Sequence, residues 1–342
     1  MQLAMRRAGH TGSKGRVFGA VVVFGAALLG ACEFGAPVVT VPGAGTGPSR
    51  AGGSATVTAP GPSLGGCPMF PANNAWNQKV NTLAVRPDSS RLISVISSSG
   101  KTKLHPDFGG AGAYGIPFKV VPSTQPKVPI NFTAYGDESD PGPYPIPGNA
   151  PVEGGSASTG DRHVLVMQQG TCHLYELGRG FWRGNHWDAD VGVNWDLTSN
   201  ALRPAGWTSA DAAGLPILPG LVRYSEVAAG HIDHAVRFTV SDTQAGYILP
   251  ATHWASSSRD TRLPPMGLRL RLKASFSLAA YHGQSLVILR ALKTYGMIVA
   301  DNGSSWYITG AVDTRWNDDD LSQLKGVPGS AFEAVYTGPV HR

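Results

Sequence analysis

Residues 202–253 read LRPAGWTSADAAGLPILPGLVRYSEVAAGHIDHAVRFTVSDTQAGYILPATH. The stretch places charged and aromatic side chains among small residues and prolines, although only 15% of the whole chain is charged. Residues 235–240 alternate side-chain types in the way that a strand requires, with Arg237 on the face opposite Phe238. Polar groups gathered beside a strand indicate a site, so we expect the fold to be arranged around this stretch.

The rest of the sequence predicts a β-rich fold of the α/β or α+β class, with a sandwich-like sheet core. The 44 glycines and 26 prolines favour strands and turns over long helices. Residues 268–273 alternate leucine with Arg269, Arg271 and Lys273, so we expect a basic row that faces water or lines a groove for an anionic substrate. Residues 284–295 repeat apolar side chains at helical spacing, which predicts one covering helix near the C-terminus.

The N-terminus has the order of a bacterial lipoprotein signal. A basic segment precedes the apolar run 17–29, which is too short to span a bilayer comfortably, and Leu-Gly-Ala-Cys at 29–32 resembles a lipobox. We therefore expect residues 1–31 to be a signal peptide and Cys32 to carry the lipid. The alternative is an ordinary signal peptide with an incidental Cys32. Residues 32–66 have the Gly, Pro and Ala content of a flexible linker.

Most of the net charge of +5 comes from this signal segment. Four of the 28 Lys and Arg residues precede the first acidic residue, and they are Arg6, Arg7, Lys14 and Arg16. Without them, 24 basic side chains face 23 acidic ones. Binding to nucleic acid needs a clustered basic surface, so the composition argues against such a partner. Membrane contact is expected through the lipid only.

Two cysteines remain once Cys32 is lipidated. Exported proteins meet oxidising conditions, so we expect a disulfide between Cys67 and Cys172. The alternative is a pair of metal ligands, but the usual close spacing is absent. Residues 67–342 are then expected to form a single folded extracytoplasmic domain.

Carboxylates on glycine- and proline-rich segments suggest glycoside hydrolysis, which uses two of them. Asp211 and Glu226 are the first candidates for this pair, one as acid and the other as nucleophile or base. The reserve candidates are Asp140, Asp301 and His253. Structural roles remain open for several of these residues: a solvated turn for Asp140, a strand-end turn for Asp301 and an ion pair with Arg223 for Glu226.

Tryptophans beside polar residues are typical of a carbohydrate groove, because sugars stack on aromatic faces and pair with carboxylates and amides. Residues 179–197, RGFWRGNHWDADVGVNWDL, contain three of them, and the alternative is that they fill the core. The candidates for binding substrate are Arg203, Trp207, Arg223 and Trp187.

No cofactor and no metal are expected. A zinc site made of His231, Asp233 and His234, with His253 as the nearest further ligand, is an alternative. A histidine hydrogen-bonded to a neighbouring carboxylate is favoured over it.

Three segments carry a resemblance. Residues 202–227, LRPAGWTSADAAGLPILPGLVRYSEV, residues 264–276, PPMGLRLRLKASF, and residues 291–308, ALKTYGMIVADNGSSWYI, resemble a family of exported bacterial proteins, often lipoproteins or modules of surface enzymes. The resemblance covers most of residues 68–335 and implies an extracytoplasmic location, without a fold, substrate or catalytic residue.

The residues themselves therefore carry the functional prediction. We expect a cell-surface lipoprotein that acts on polysaccharide or cell-envelope glycan as a glycoside hydrolase with paired carboxylates. The alternative is a non-catalytic envelope lipoprotein that binds glycan or another envelope component.

Overall fold

The computed structural model describes residues 61–342, and strands outnumber helices in this part of the chain. The predicted signal peptide, the lipidation of Cys32 and most of the predicted linker lie outside the described residues. No helix within 61–342 has the length and apolar character needed to cross a bilayer.

Fifteen strands lie within residues 61–342. They are β1 (Ser63–Leu64), β2 (Cys67–Pro68), β3 (His105–Asp107), β4 (Phe118–Val121), β5 (Ile130–Phe132), β6 (Val164–Gln168), β7 (His173–Gly178), β8 (Phe181–Trp182), β9 (Trp187–Ala189), β10 (Val191–Asp196), β11 (Val236–Val240), β12 (Arg269–Leu272), β13 (Met297–Asn302), β14 (Tyr307–Thr309) and β15 (Phe332–Ala334).

Two larger sheets and two small ones organise these strands. The six-stranded sheet has the order β15-β12-β13-β11-β14-β3, and the four-stranded sheet has the order β10-β7-β6-β4. The small sheets are β5-β9-β8 and β1-β2. Parallel and antiparallel pairs are mixed, since β11 runs parallel to β13 and antiparallel to β14. This is the β-rich, sandwich-like α+β fold that the sequence predicts.

The central strand β11 separates an apolar face of the six-stranded sheet from a polar one. Val236, Phe238 and Val240 are fully buried on one face. Arg237 and Thr239 occupy the other, because successive side chains of a strand point to opposite faces. The polar face of this sheet carries the candidate site.

The α-helices of the described region are α1 (Ser89–Ser97), α2 (Tyr224–Ala228), α3 (Gly283–Thr294) and α4 (Asp318–Ser322). Helix α3 is the covering helix predicted from residues 284–295, and it buries Ile288, Leu289 and Leu292. It ends before Gly296, whose φ is +69° and where a Cβ would lie only 2.1 Å from the Leu270 carbonyl oxygen. Only glycine satisfies both conditions at this position.

The expectation of a solvent-facing basic row on β12 is wrong for its two arginines. Arg269 is 3% exposed and Arg271 is 9% exposed. Arg269 donates to main-chain carbonyls, whereas Arg271 pairs with Glu333 at 2.8 Å and donates to the carbonyl oxygen of Val80. The segment around Val80 covers this face of the sheet, a second layer that strand alternation alone does not reveal.

The disulfide between Cys67 and Cys172 is confirmed, with a Cα–Cα distance of 5.3 Å and a sequence separation of 105. It joins β2 to the turn that precedes β7. Residues 63–64, placed in the linker by their composition, form β1 and pair with β2. The folded part of the chain therefore includes residues before Cys67, and residues 61–342 belong to one compact unit.

Candidate functional site

A buried loop at residues 209–213 connects the two larger sheets. The Ser209 hydroxyl accepts a hydrogen bond from the Asp211 amide at 2.9 Å and donates one to the Leu215 carbonyl at 2.6 Å. The Ala213 amide donates to the Ala300 carbonyl of β13 at 3.0 Å. These bonds hold Asp211 in place beside the polar face of the six-stranded sheet.

Arg237 of β11 is the cationic centre of the site. Its Nη2 and Nε donate to the two carboxylate oxygens of Asp211 at 2.9 and 3.0 Å, and its Nη1 donates to Thr309 Oγ1 at 2.8 Å. Asp211 is fully buried and Arg237 is 4% exposed. Burial opposes the charge of Arg237, but Asp211 outweighs it and raises the pKa of the guanidinium further.

A β-bulge brings Asp301 to the same cation. The register between β11 and β13 shifts between Phe238 and Thr239, so that Thr239 lies opposite Asp301. The extra residue in β13 turns Asp301 towards the face that carries Arg237. Asp301 Oδ2 lies 3.9 Å from Arg237 Nη2, and its side chain remains 19% exposed.

Asp301 holds a proton near neutral pH. Burial and, after it, the negative charge of Asp211 raise the pKa of Asp301 to about 7, against the opposing effect of Arg237. Burial also raises the pKa of Asp211. We assign the proton to Asp301, because Asp211 accepts both hydrogen bonds of the guanidinium.

His163 anchors the buried loop as an imidazolium. Its Nδ1 lies 2.6 Å from Glu153 Oε2, and its Nε2 lies 2.9 Å from the Ala210 carbonyl oxygen. Both neighbours are acceptors, so both ring nitrogens donate. Burial alone would lower the pKa of His163, but the charge of Glu153 raises it to about 9.

Two exposed carboxylates complete the site. Asp107 ends β3 opposite Thr309, and its pKa is raised by partial burial and then by the charge of Glu153. Asp161 is exposed, and its negative charge contributes to the raised pKa values of both Asp301 and His163. We call these interacting groups the Arg237 cluster: Asp107, Glu153, Asp161, His163, Asp211, Arg237 and Asp301.

An aromatic pair lies next to the Arg237 cluster on the polar face. The rings of His105 and Tyr307 stack with centroids 4.1 Å apart. They face each other across β3 and β14, two residues along from Asp107 and Thr309. Both rings are partly exposed, as a surface for a ligand requires.

Glu226 lies in a different ion network from Asp211. It accepts hydrogen bonds from Arg223 Nη2 at 2.5 Å and His234 Nε2 at 3.1 Å. Burial would raise its pKa, but the charges of Arg223 and His234 lower it to about 2. The structure therefore does not bring Asp211 and Glu226 together as a pair, and Arg223, at 1% exposure, has no surface for a substrate.

Asp140 and Arg203 join the turn that contains Asp140 to Thr208, which directly precedes the buried loop. Arg203 donates to Asp140 at 2.9 Å and to the Thr208 carbonyl at 2.7 Å. Its guanidinium lies 5.7 Å from the ring centroid of Trp195 and 5.5 Å from that of Trp207. These contacts hold Arg203 inside the protein, where it is 7% exposed.

His253 lies on the other side of the buried loop. Its Nδ1 donates to the Ala212 carbonyl at 2.7 Å, and burial lowers its pKa. Its ring stacks on Trp254 with centroids 6.2 Å apart. His253 therefore neighbours the loop that carries Asp211, although it contacts a different residue of that loop.

Trp187 belongs to the core. It is 1% exposed, and its Nε1 donates to the Ile146 carbonyl at 3.2 Å. Trp187 therefore fills the core, which was the alternative to a carbohydrate groove, and it has no free face for a sugar ring.

The histidines of residues 231–234 contact carboxylates. His231 Nε2 lies 3.5 Å from Asp233 Oδ2, whereas His234 turns to Glu226. Across residues 61–342, no group of three or more His, Cys, Asp or Glu side chains is arranged to hold a metal ion.

Sequence reasoning did not place four members of the Arg237 cluster at the site: Asp107, Glu153, Asp161 and His163. Asp161 and His163 lie directly before the buried strand β6, and Asp107 is the last residue of β3. The polar side chains at the ends of predicted strands could have indicated these residues. The sequence does not show which strand ends meet, because β3, β6 and β11 belong to different parts of the chain.

Comparison with known proteins supplies no relative: no protein-family model, no curated protein and no solved structure matches this chain. The resemblance to exported bacterial proteins therefore stays an expectation, and a functional proposal rests on the geometry of the Arg237 cluster.

Proposed function

We propose that this protein is an exported, lipid-anchored glycoside hydrolase whose active site is the Arg237 cluster, acting on polysaccharide or cell-envelope glycan. One observation carries the proposal: Asp301, with a pKa of about 7, lies partly exposed where the negative charges of Asp211 and Asp161 act on it. A carboxyl group whose pKa is raised towards neutral by burial and by neighbouring charge is suited to act as a general acid.

Asp301 is the general acid. It is protonated below pH about 7 and partly exposed, so it is able to give its proton to the glycosidic oxygen as the bond to the sugar breaks. Asp211 and Arg237 are positioning residues. Asp211 is too deeply buried to touch substrate, and its charge keeps the proton on Asp301.

Asp161 is our choice for the second carboxylate. It is exposed, and its charge reaches Asp301. It either takes a proton from the attacking water, which gives inversion, or attacks the anomeric carbon itself, which gives retention. This pair replaces Asp211 and Glu226, because those two residues bind different cations inside the protein.

Several features support the cellular setting. The signal-like N-terminus and the Leu-Gly-Ala-Cys run at 29–32 favour export and lipid attachment. A disulfide suits an oxidising compartment outside the cytoplasm. The stacked His105 and Tyr307 rings supply an aromatic surface beside the acid, as sugar recognition commonly uses.

The test is release of reducing ends from a panel of cell-envelope and plant polysaccharides by the purified full-length protein. We expect release from at least one polymer, lowered about a hundredfold or more by Asp301→Asn and by Asp161→Asn. Asp260→Asn, which alters a surface pair with Arg262, is the matched control and should retain activity.

Two results would contradict the hydrolase. One is unchanged release by the Asp301→Asn variant. The other is the absence of release from any polymer by folded protein that is nevertheless retained on a glycan column, which would favour the alternative of a non-catalytic envelope lipoprotein.

A further inference from the structure

A cavity of about 80 Å³ opens on the polar face of the six-stranded sheet. Its walls combine apolar residues, among them Val80, Leu249, Pro250 and Ile298, with the polar Gln78 and Thr337. The charged group in its lining is Arg269 of β12, and no Asp or Glu is among the residues that line it. We call this cavity the Arg269 pocket.

Arg269 is held by main-chain oxygens. Its Nε and Nη2 donate to the Tyr295 carbonyl at 2.8 and 2.5 Å, and Nη2 also donates to the Gln78 carbonyl at 3.1 Å. Its Nη1 donates once, to the Ala75 carbonyl at 2.8 Å. A guanidinium has five N–H groups, so one N–H of Nη1 is left without a partner among residues 61–342.

The neighbouring arginines of this sheet face are neutralised, in contrast to Arg269. Arg237 pairs with Asp211, and Arg271 pairs with Glu333 at 2.8 Å. No described carboxylate forms an ion pair with Arg269, although this residue is 3% exposed. A buried charge without a counterion is unfavourable, and burial lowers the pKa of Arg269 accordingly.

We propose that the Arg269 pocket binds a small organic monocarboxylate with an apolar body. One positive charge matches one carboxylate, and the free N–H of Nη1 supplies a charge-assisted hydrogen bond. The apolar side chains of the lining remove part of the body of such a ligand from water. A phosphate dianion fits less well, because a single free donor leaves most of its oxygens unpaired.

The Arg269 pocket lies near the Arg237 cluster but does not depend on it. Arg269 is paired with Ile298 of β13, and Ile298 is paired with Arg237 of β11. Two strand spacings separate the arginines, roughly 10 Å. The proposal holds whether or not the cluster hydrolyses glycans, since it rests on the cavity and on the unpaired charge.

Isothermal titration of the full-length protein with sodium benzoate tests the proposal, with benzamide as the neutral ligand of the same shape. We expect one benzoate per chain and at least tenfold weaker binding of benzamide. Inorganic phosphate is the third ligand, and it should bind at least tenfold more weakly than benzoate.

A pair of matched variants locates the binding. Leu249→Trp fills the edge of the Arg269 pocket, whereas Leu202→Trp alters an equally exposed leucine that lines a different cavity. Both leucines are 45% exposed, so both variants should fold. We expect Leu249→Trp to weaken benzoate binding at least tenfold and Leu202→Trp to leave it unchanged.

Three results would overturn the proposal: no heat of binding from benzoate at about 10 mM with folded protein, equal affinity for benzoate and benzamide, or unchanged affinity in the Leu249→Trp variant. Circular dichroism and thermal unfolding of each variant establish that the protein is folded in every titration.

Discussion

Asp211 and Arg237 form a two-bond ion pair inside the protein, with N–O distances of 2.9 and 3.0 Å. Asp211 is fully buried, and Arg237 also lies 3.9 Å from the partly exposed Asp301. The pair therefore determines which of the two carboxyl groups is charged. Asp211 keeps the negative charge, and Asp301 is left as the group that binds and releases a proton.

Breaking this pair should be strongly destabilising. Asp211→Asn preserves the shape of the side chain but leaves the charge of Arg237 unpaired in the interior. We expect the free energy of unfolding to fall by about 3 to 5 kcal/mol, measured by urea denaturation. Asp260→Asn, in the surface pair with Arg262, should leave the urea midpoint unchanged. Similar midpoints for the two variants would contradict the buried pair.

The pH dependence of activity should follow Asp301. A general acid must be protonated, so turnover is expected to decline as pH rises through about 7, the pKa of Asp301. Removing the charge of Asp211 lowers that pKa, so residual activity of Asp211→Asn should decline at a lower pH. Initial rates from pH 4 to 9 measure both. If the rate of Asp211→Asn declined at the same pH as that of the parent protein, a group other than Asp301 would be the acid.

Glu176 should make stability depend on pH. It is fully buried on β7 and accepts hydrogen bonds from the Ile217 and Leu218 amides and from Trp195 Nε1. Burial raises its pKa from 4.5 to about 7, so the folded state binds this proton more tightly than the unfolded state. The contribution of Glu176 to stability is therefore present at low pH and declines as pH rises from about 4.5 to about 7.

Glu176→Gln tests this contribution. The introduced glutamine does not titrate, but its side-chain NH₂ group faces the N–H donors from which Glu176 accepts. We therefore expect the free energy of unfolding to fall by about 1 to 3 kcal/mol at pH 5. The difference from the parent protein should shrink by pH 8, measured by denaturation at each pH. A constant difference across this range would mean that Glu176 does not titrate there.

The disulfide should contribute measurably to stability. Cys67 and Cys172 enclose a long loop, so removing the bond increases the entropy of the unfolded chain. We expect the Cys67→Ser, Cys172→Ser double variant to lose up to about 4 to 5 kcal/mol, measured by urea unfolding. The parent protein unfolded with reductant should give the same midpoint as the variant. An unchanged midpoint in both would exclude the stabilising role.

Asp320 should stabilise the start of α3 from outside that helix. Its carboxylate accepts hydrogen bonds from the Gln284 amide at 2.8 Å and the Ser285 amide at 3.0 Å. Asp320→Ala is expected to cost about 1 to 2 kcal/mol, measured by thermal unfolding. Asp319→Ala, one residue earlier in the exposed first turn of α4, is the matched control and should change the melting temperature little.

Local patterns predicted what depends on neighbours along the chain. Helix α3 follows from apolar spacing in residues 284–295, and β11 follows from alternation around Arg237. The disulfide between Cys67 and Cys172 follows from their number and the expected compartment. The importance of residues 202–253 was also visible, since their loop at 209–213 lies between the two larger sheets.

Contacts between distant segments decided the site. Asp301 reaches Arg237 because one extra residue in β13 turns the side chain of Asp301 to the opposite face of the sheet. The residue types in β13 do not predict that bulge. Glu226, like Asp211, is a carboxylate on a glycine- and proline-rich segment, so the sequence did not distinguish them. In the structure, Glu226 forms ion pairs with Arg223 and His234, away from Arg237. The sequence predicted that Arg269 would face water or line a groove, because the alternation of side chains along a strand does not show which segment covers that face.

The sequence by itself determined the fold class, the covering helix and the cysteine pairing, because these depend on side-chain periodicity, composition and cysteine count. Only the tertiary structure decided which carboxyl group keeps a proton. A pKa depends on burial and on charges brought within a few ångströms, and Asp211, Arg237 and Asp301 become neighbours only when the sheets assemble.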